Sequence, residues 1–138
     1  MEAKVLQGVV AIGETRQADG AEVSMLSLER YDDGFILHYR LLTDEPAPRP
    51  PVGPPHMPLV PTLLLNVKDD LGNEYRGGPG GWGGSDRQWR GEARLTPPLA
   101  EEASRLEVRV EEIQWLSHSP SQRSRVQPGP WVFDVRLR

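Results

Sequence analysis

The chain has 138 residues, a length that fits one domain, 1–138, with a core of its own. It contains no cysteine, which excludes disulfides and thiolate metal sites, and its net charge of −4 does not suggest nucleic acid as a partner. No apolar run approaches the ~18 residues of a membrane span, and no secretory signal is recognisable. We therefore expect a cytoplasmic protein, unless a signal or anchor was removed upstream of Met1.

Alternation of apolar and polar residues dominates the sequence, and this period of two predicts β-strands that are buried on one face. In chain order, we predict strands near 4–13, 22–31, 35–43, 62–68, 74–76, 87–95, 105–114 and 130–138. The predicted core consists of Val23, Leu26, Leu28, Phe35, Leu37, Tyr39, Leu41, Leu63, Leu65, Val67, Trp89, Leu106, Val108, Val110, Trp131, Phe133, Val135 and Leu137.

Turn residues separate the predicted strands. Asp19-Gly20, Asp32-Asp33-Gly34 and the segment 69–73 each contain acidic residues and a glycine, which supplies the positive φ that a tight hairpin needs. The segment 98–104 begins at the second of two prolines, Pro97 and Pro98, and has acidic residues in its first turn, so we expect at most one short helical turn there. Short strands with almost no helix predict an all-β fold, a single antiparallel sandwich of about seven to nine strands.

Three connections are predicted to be long loops. A Pro-rich loop, 44–61, contains eight prolines and cannot join a hydrogen-bonded ladder. A Gly-rich loop, 77–86, has six glycines between positions 77 and 84. A loop at 117–130 has few apolar residues, and we expect it to be mobile.

The order of these features resembles the immunoglobulin-like β-sandwich domains of uncharacterised bacterial proteins. The resemblance covers about residues 20–137 and includes the D-x-x-G-x-x-Y pattern that begins at Asp69, the "LTPPLAEEASRLEVRV" segment and the closing "WVFDV" strand. It implies a fold and carries no active site. The Cys…Trp…Cys signature of antibody domains is absent.

The Gly-rich loop contains a formal G-x-G-x-x-G match at Gly78–Gly83. A dinucleotide fingerprint needs a helix directly after the glycines, and no helical pattern follows here. A P-loop needs G-K-[ST], and no lysine lies between residues 69 and 138. We therefore expect no nucleotide cofactor. Trp82, flanked by glycines, is expected to pack back on the sheet or, alternatively, to stack on a ligand.

The Pro-rich loop has two interpretations. Pro48-Arg49-Pro50-Pro51 fits P-x-x-P, the motif that SH3-like domains bind, so Arg49 and Pro50 are candidate partner contacts. The alternative is a purely structural role, as a stiff connector between strands.

Neither a metal site nor a catalytic constellation is evident. His38, His56 and His118 lack metal-ligand spacing, and hairpin chemistry explains Asp69-Asp70 without calcium. We therefore predict a non-enzymatic module that binds another protein through loops or strand edges. Exposed edge strands could also allow self-association, and the outward charges of Arg136 and Arg138 would oppose it. The alternative is a carbohydrate-binding module that uses Trp82, with Asp86 and Arg87 as polar contacts.

Overall fold

A computed structural model of the protein describes residues 5–46, 59–85, 87–116 and 125–137. These residues form eight antiparallel strands, close in number and position to those the alternation predicts. The strands are β1 (Leu6–Ala18), β2 (Ala21–Tyr31), β3 (Phe35–Thr43), β4 (Val60–Asp69), β5 (Glu74–Ser85), β6 (Gln88–Thr96), β7 (Arg105–Leu116) and β8 (Arg125–Arg136). No helix long and apolar enough to cross a membrane occurs among the described residues.

The strands are hydrogen-bonded in one order, β1-β2-β3-β6-β5-β4-β7-β8. The two ends of this sheet meet, because β1 and β8 are in contact, and β8 also bonds to the β1–β2 turn and the start of β2. The indole of Trp131 donates a 3.1 Å hydrogen bond to the carbonyl of Ala21, and the Gln127 amide donates to the carbonyl of Asp19. The all-β antiparallel prediction is confirmed. The two-sheet sandwich is not, because a single sheet curls into a nearly closed, barrel-like form.

The core lies inside the curled sheet, and sixteen of the eighteen predicted core residues are buried there. Leu26 is only partly buried because β2 has a bulge between Met25 and Ser27, which shifts the alternation by one residue. The core prediction was therefore wrong at Leu26. It was also too strong at Leu65, which is partly buried because it lies at an opening in the wall of the sheet.

The predicted Gly-rich loop is wrong, because residues 77–85 continue strand β5. Glycine allows β5 to approach its neighbour β6 closely. A Cβ added to Gly77 would collide with the carbonyl oxygen of Arg94, and one added to Gly84 would collide with the carbonyl oxygen of Gln88. A segment this rich in glycine shows no period of two, so a pattern of alternation cannot identify it as a strand.

The segment predicted as a short helical turn, 98–104, contains no helix. One reverse turn, closed by a 3.2 Å bond from the Ala103 amide to the carbonyl of Ala100, replaces it. Asp70 holds this connection in place by accepting hydrogen bonds from the amide and hydroxyl of Ser104, at 3.0 and 2.6 Å. These bonds favour an extended connection over a helix.

The loop boundaries also shift. Strand β8 begins at Arg125, inside the predicted loop 117–130, and accommodates Pro128 and Pro130 because it lies at the edge of the sheet. Strand β4 begins at Val60, inside the predicted loop 44–61. Residues 47–58 and 117–124 of the two predicted loops lie outside the described residues.

The predicted turns occur where expected, but in one of them glycine is required for a different reason. Asp19 and Gly20 have φ of 47° and 74°, and Gly72 has φ of 89°, as tight hairpins require. Gly34 does not adopt a positive φ. It is required for space instead, since a Cβ there would collide with the carbonyl oxygen of Leu95.

Candidate functional site

Strands β4 and β5 form an opening in the wall of the curled sheet. They pair at only two positions, Val67 with Tyr75 and Lys68 with Glu74. Beyond these pairs, β4 bonds only to β7 and β5 only to β6 among the described residues. Residues 60–66 and 76–85 therefore face each other as two strand edges, and we call the gap between them the β4–β5 seam.

The closed end of the seam is fixed by the carboxylate of Asp69. It accepts four hydrogen bonds of 2.7–2.9 Å, from the amides of Leu71 and Asn73, the side-chain amide of Asn73 and the hydroxyl of Tyr75. Burial raises the pKa of Asp69, but these hydrogen bonds outweigh it and hold the pKa below its usual value. This hydrogen-bond network is the structural reason for the D-x-x-G-x-x-Y pattern.

A cleft of about 200 Å³ opens along the seam. Its floor is mainly apolar and includes Leu63, Leu65 and Ala93, while Thr62, Glu92 and Gln114 place polar groups around it. Glycines 77 and 78 leave the β5 wall without side chains, so the backbone itself lines that side. The volume is below the ~300–1,000 Å³ of most small-molecule sites. It suits a side chain or a stretch of backbone better than a cofactor.

Tyr39 lies at the floor of this cleft with only 6% of its surface exposed. It reaches there because it is paired with Gly91 across β3 and β6, and the glycine leaves room for the ring. A Cβ at position 91 would lie 2.5 Å from the Tyr39 hydroxyl oxygen. That hydroxyl makes no hydrogen bond to any residue in the described part of the chain. Burial raises the pKa of Tyr39 to about 12.

Trp82 lies beyond Tyr39 on the same side of the sheet. It is paired with Gly91, on the face that carries the core residue Trp89. The Trp82 ring packs against the Trp89 ring with centroids 5.7 Å apart, and Trp89 in turn contacts Trp115 at 6.0 Å. Trp82 nevertheless keeps 46% of its surface exposed, because none of the described strands covers this part of β5. The packing of Trp82 back on the sheet is therefore confirmed for one side of the ring, while stacking on a ligand stays a prediction.

Glu92 shapes the β5 side of the cleft. Its carboxylate accepts a 3.2 Å hydrogen bond from the Gly81 amide and lies 3.4 Å from the guanidinium of Arg94. The Gly81 amide belongs to a register shift between Pro79 and Trp82. We infer that this bond helps to place the shift, and with it the position of Trp82.

Of the remaining predicted contact residues, only Arg87 lies within the described part of the chain. Arg87 is exposed, and its backbone carbonyl accepts a 2.9 Å bond from the Thr43 amide. No contact joins its side chain to Trp82 within the described ranges. Asp86, Arg49 and Pro50 lie outside the described residues, so their predicted roles stay predictions.

His38 lies on the outer face of β3 and binds a carboxylate. Its Nε2 is 2.8 Å from Glu29 Oε1, and the hydroxyl of Tyr31 donates to the same oxygen at 3.2 Å. The bond to His38 holds the pKa of Glu29 below its usual value. No group of three or more His, Asp or Glu side chains arranged to hold a metal ion occurs among the residues that the structure describes.

Sequence reasoning found Trp82 and missed the seam. Tyr39, Leu63 and Leu65 were predicted as ordinary core residues, and nothing local marks them as the lining of an opening. The one available signal was the glycine density of 77–84, which indicates close backbone approach as well as it indicates a loop.

The fold is similar to that of a conserved domain protein from Bacillus anthracis whose crystal structure is known. The two share 21% sequence identity with a TM-score of 0.63. The match covers 94% of this chain and 48% of that one, so this chain spans about half the length of its structural neighbour. At this identity the similarity shows the fold alone. No family model and no curated protein matches the chain.

Proposed function

We propose that this domain is a non-enzymatic binding module that takes up an extended segment of a partner protein in the β4–β5 seam. The observation that carries the proposal is the pair of facing strand edges at 60–66 and 76–85, which lie beyond the only two β4–β5 residue pairs of the described residues and are not paired with each other. An extended chain laid between them forms a ladder with both edges. It closes the sheet as a ninth strand, antiparallel to one neighbour and parallel to the other.

Physical chemistry favours strand addition at such a site. A strand edge presents unpaired N–H and C=O groups, and adding a strand satisfies them with main-chain hydrogen bonds. Two edges offer about twice the hydrogen bonds of one. Specificity comes from alternate side chains, and the apolar floor formed by Leu63, Leu65 and Ala93 suits the inward-facing side chains of the added strand.

The test begins with a ten-residue random peptide library displayed on phage and selected against the purified domain. We expect selected peptides to alternate apolar and polar residues. Hydrogen exchange with a bound peptide should show new protection on both β4 and β5. Protection confined to other strands or to connections, or a library that yields no binder, would overturn the proposal.

A cleft-filling variant sharpens the test. Ala93→Leu places a larger side chain on the cleft floor, where Ala93 is 7% exposed. We expect it to fold and to bind the selected peptides at least tenfold more weakly. The control is Ala11→Leu, which makes the same change at an exposed position on β1. Equal binding by the two variants would remove the seam as the binding site.

The half-exposed ring of Trp82 favours a second candidate function, carbohydrate binding by stacking. It predicts that a polysaccharide shifts the tryptophan emission of the wild type and leaves Trp82→Ala unchanged. A spectrum that does not respond to any member of a sugar panel would eliminate this alternative without affecting the seam.

A further inference from the structure

We propose that Tyr39 is a specificity-determining residue of the seam, and that its hydroxyl selects an uncharged polar side chain, Ser, Thr, Asn or Gln, at one inward-facing position of the bound segment. This inference rests on the proposed function and names the chemistry of its ligand. It starts from a hydroxyl on the lining of the cleft that has no hydrogen-bond partner among the described residues.

The hydroxyl of Tyr39 is unusual for its surroundings. Hydroxyls of side chains that are largely buried usually have a hydrogen-bond partner in the protein. Tyr39 is 94% buried, by its exposure of 6%, and its hydroxyl has no partner among the described residues. The two other described tyrosines do have partners: Tyr75 donates to Asp69 and Tyr31 donates to Glu29.

The surroundings indicate where the missing partner comes from. Tyr39 lines the cleft together with Leu63 and Leu65 of β4 and Gly77 of β5, so the cleft extends from the seam to the ring. An inward side chain of an added strand enters this space. The backbone of that strand stays in the plane of the sheet, bonded to the two edges. The side chain is therefore the part that meets the hydroxyl.

The polarity and the volume of the cleft restrict which side chain of the bound segment can reach the Tyr39 hydroxyl. The floor is mainly apolar, so an ionised group would lose its hydration without an opposite charge to pair with. A volume of about 200 Å³ leaves room for one side chain rather than a larger ligand. Because burial raises the pKa of Tyr39 to about 12, the hydroxyl is protonated and able to donate throughout the physiological range. A neutral acceptor oxygen satisfies all three conditions.

The experiment compares peptide selections against the wild type and Tyr39→Phe. The variant removes a hydroxyl that has no partner in the described ranges, so we expect it to fold with an unchanged or higher thermal midpoint. The wild type should enrich Ser, Thr, Asn or Gln at one inward position. Tyr39→Phe should enrich Val or Leu at the same position.

Affinity measurements then isolate the hydroxyl. In the best peptide from the wild-type selection, we replace the polar residue by its apolar counterpart, Thr by Val or Asn by Leu, and measure fluorescence anisotropy. The wild type should lose about fivefold in affinity, the effect of one hydrogen bond, while Tyr39→Phe should lose none.

The outcomes separate the two proposals. Peptides that protect β4 and β5 but show the same preference in both selections would overturn the role of Tyr39 and leave strand addition standing. An equal loss of affinity in both proteins would also overturn it. Failure of every peptide to bind at the seam would overturn strand addition, and the role of Tyr39 with it.

Discussion

The hydroxyl of Tyr75 donates a 2.7 Å hydrogen bond to Asp69 Oδ2, and this bond joins β5 to the end of β4 at the point where the seam closes. The same oxygen of Tyr75 accepts a 3.2 Å bond from the Ala100 amide. One phenol thus connects the hairpin to the 97–104 connection. The arrangement makes Tyr75 a stability determinant at the edge of the proposed site.

Tyr75→Phe should destabilise the domain by about 2 kcal/mol, because a hydrogen bond to a charged group is lost and the Ala100 amide loses its acceptor. Urea unfolding measures the change. Tyr31→Phe is the control, since Tyr31 bonds a carboxylate on the outer face at 3.2 Å, and its loss should be smaller. Equal losses of stability in the two variants would show that the Tyr75 bond to Asp69 contributes no more than the Tyr31 bond to Glu29.

We expect Asp70 to contribute folding stability that is lost at low pH. Hydrogen bonds from the hydroxyl and amide of Ser104, and then from the amide of Arg105, lower the pKa of Asp70 to about 2, from 3.8. Because the folded-state pKa is the lower one, the contribution is complete above pH 4 and is lost as the pH falls towards 2.

Denaturant unfolding between pH 5 and 2 measures this contribution. Asp70→Asn should lose less stability across that range than the wild type. Glu102→Gln, at an exposed position of the same connection, should follow the wild type. Parallel curves for the wild type and Asp70→Asn would contradict the prediction.

Gly77 and Gly78 should respond oppositely to the same substitution. Gly77→Ala forces a Cβ against the carbonyl of Arg94 and should cost about 2 kcal/mol by overpacking. Gly78 has no atom within 4 Å of an added Cβ and no positive φ. Gly78→Ala should therefore be neutral or stabilise by up to about 1 kcal/mol. Thermal unfolding measures both, and equal effects would indicate a loop instead of a strand.

Trp82→Ala should lower the free energy of unfolding by about 1 kcal/mol, which is the contribution of an aromatic pair at a half-exposed position. The near-ultraviolet circular dichroism should also change, because Trp89 loses the ring that lies 5.7 Å away. Leu71→Ala, at a 53% exposed turn position, should change neither quantity. An unaltered spectrum in Trp82→Ala would contradict the Trp82–Trp89 contact.

Alternation predicted the strands whose two faces meet different environments. In β3 and β8 the inward residues are large and apolar, so a period of two identifies both the strand and its buried face. It failed at Leu26, because a bulge shifts the period. It failed along 77–85, because glycines carry no side chain to alternate.

The candidate site was less predictable than the fold. The seam depends on how far β4 and β5 diverge, a relation between Leu63 and Gly77 that no local pattern encodes. Closure of the sheet depends likewise on contacts between residues far apart in the chain, such as Trp131 of β8 and Ala21 at the start of β2, which are 110 positions apart. The D-x-x-G-x-x-Y spacing was visible in the sequence, and it marks the closed end of the seam.

Amide hydrogen exchange of the free domain, resolved residue by residue by NMR, tests the open seam most directly. We predict that amides along 62–66 and 76–84 alternate between slow and fast exchange, because every second one faces the seam, whereas β3, which is paired on both sides, is protected throughout. Addition of a selected peptide should slow the fast set on both edges. Continuous protection along β4 and β5 in the free domain would mean that the seam is already closed, and would contradict the account.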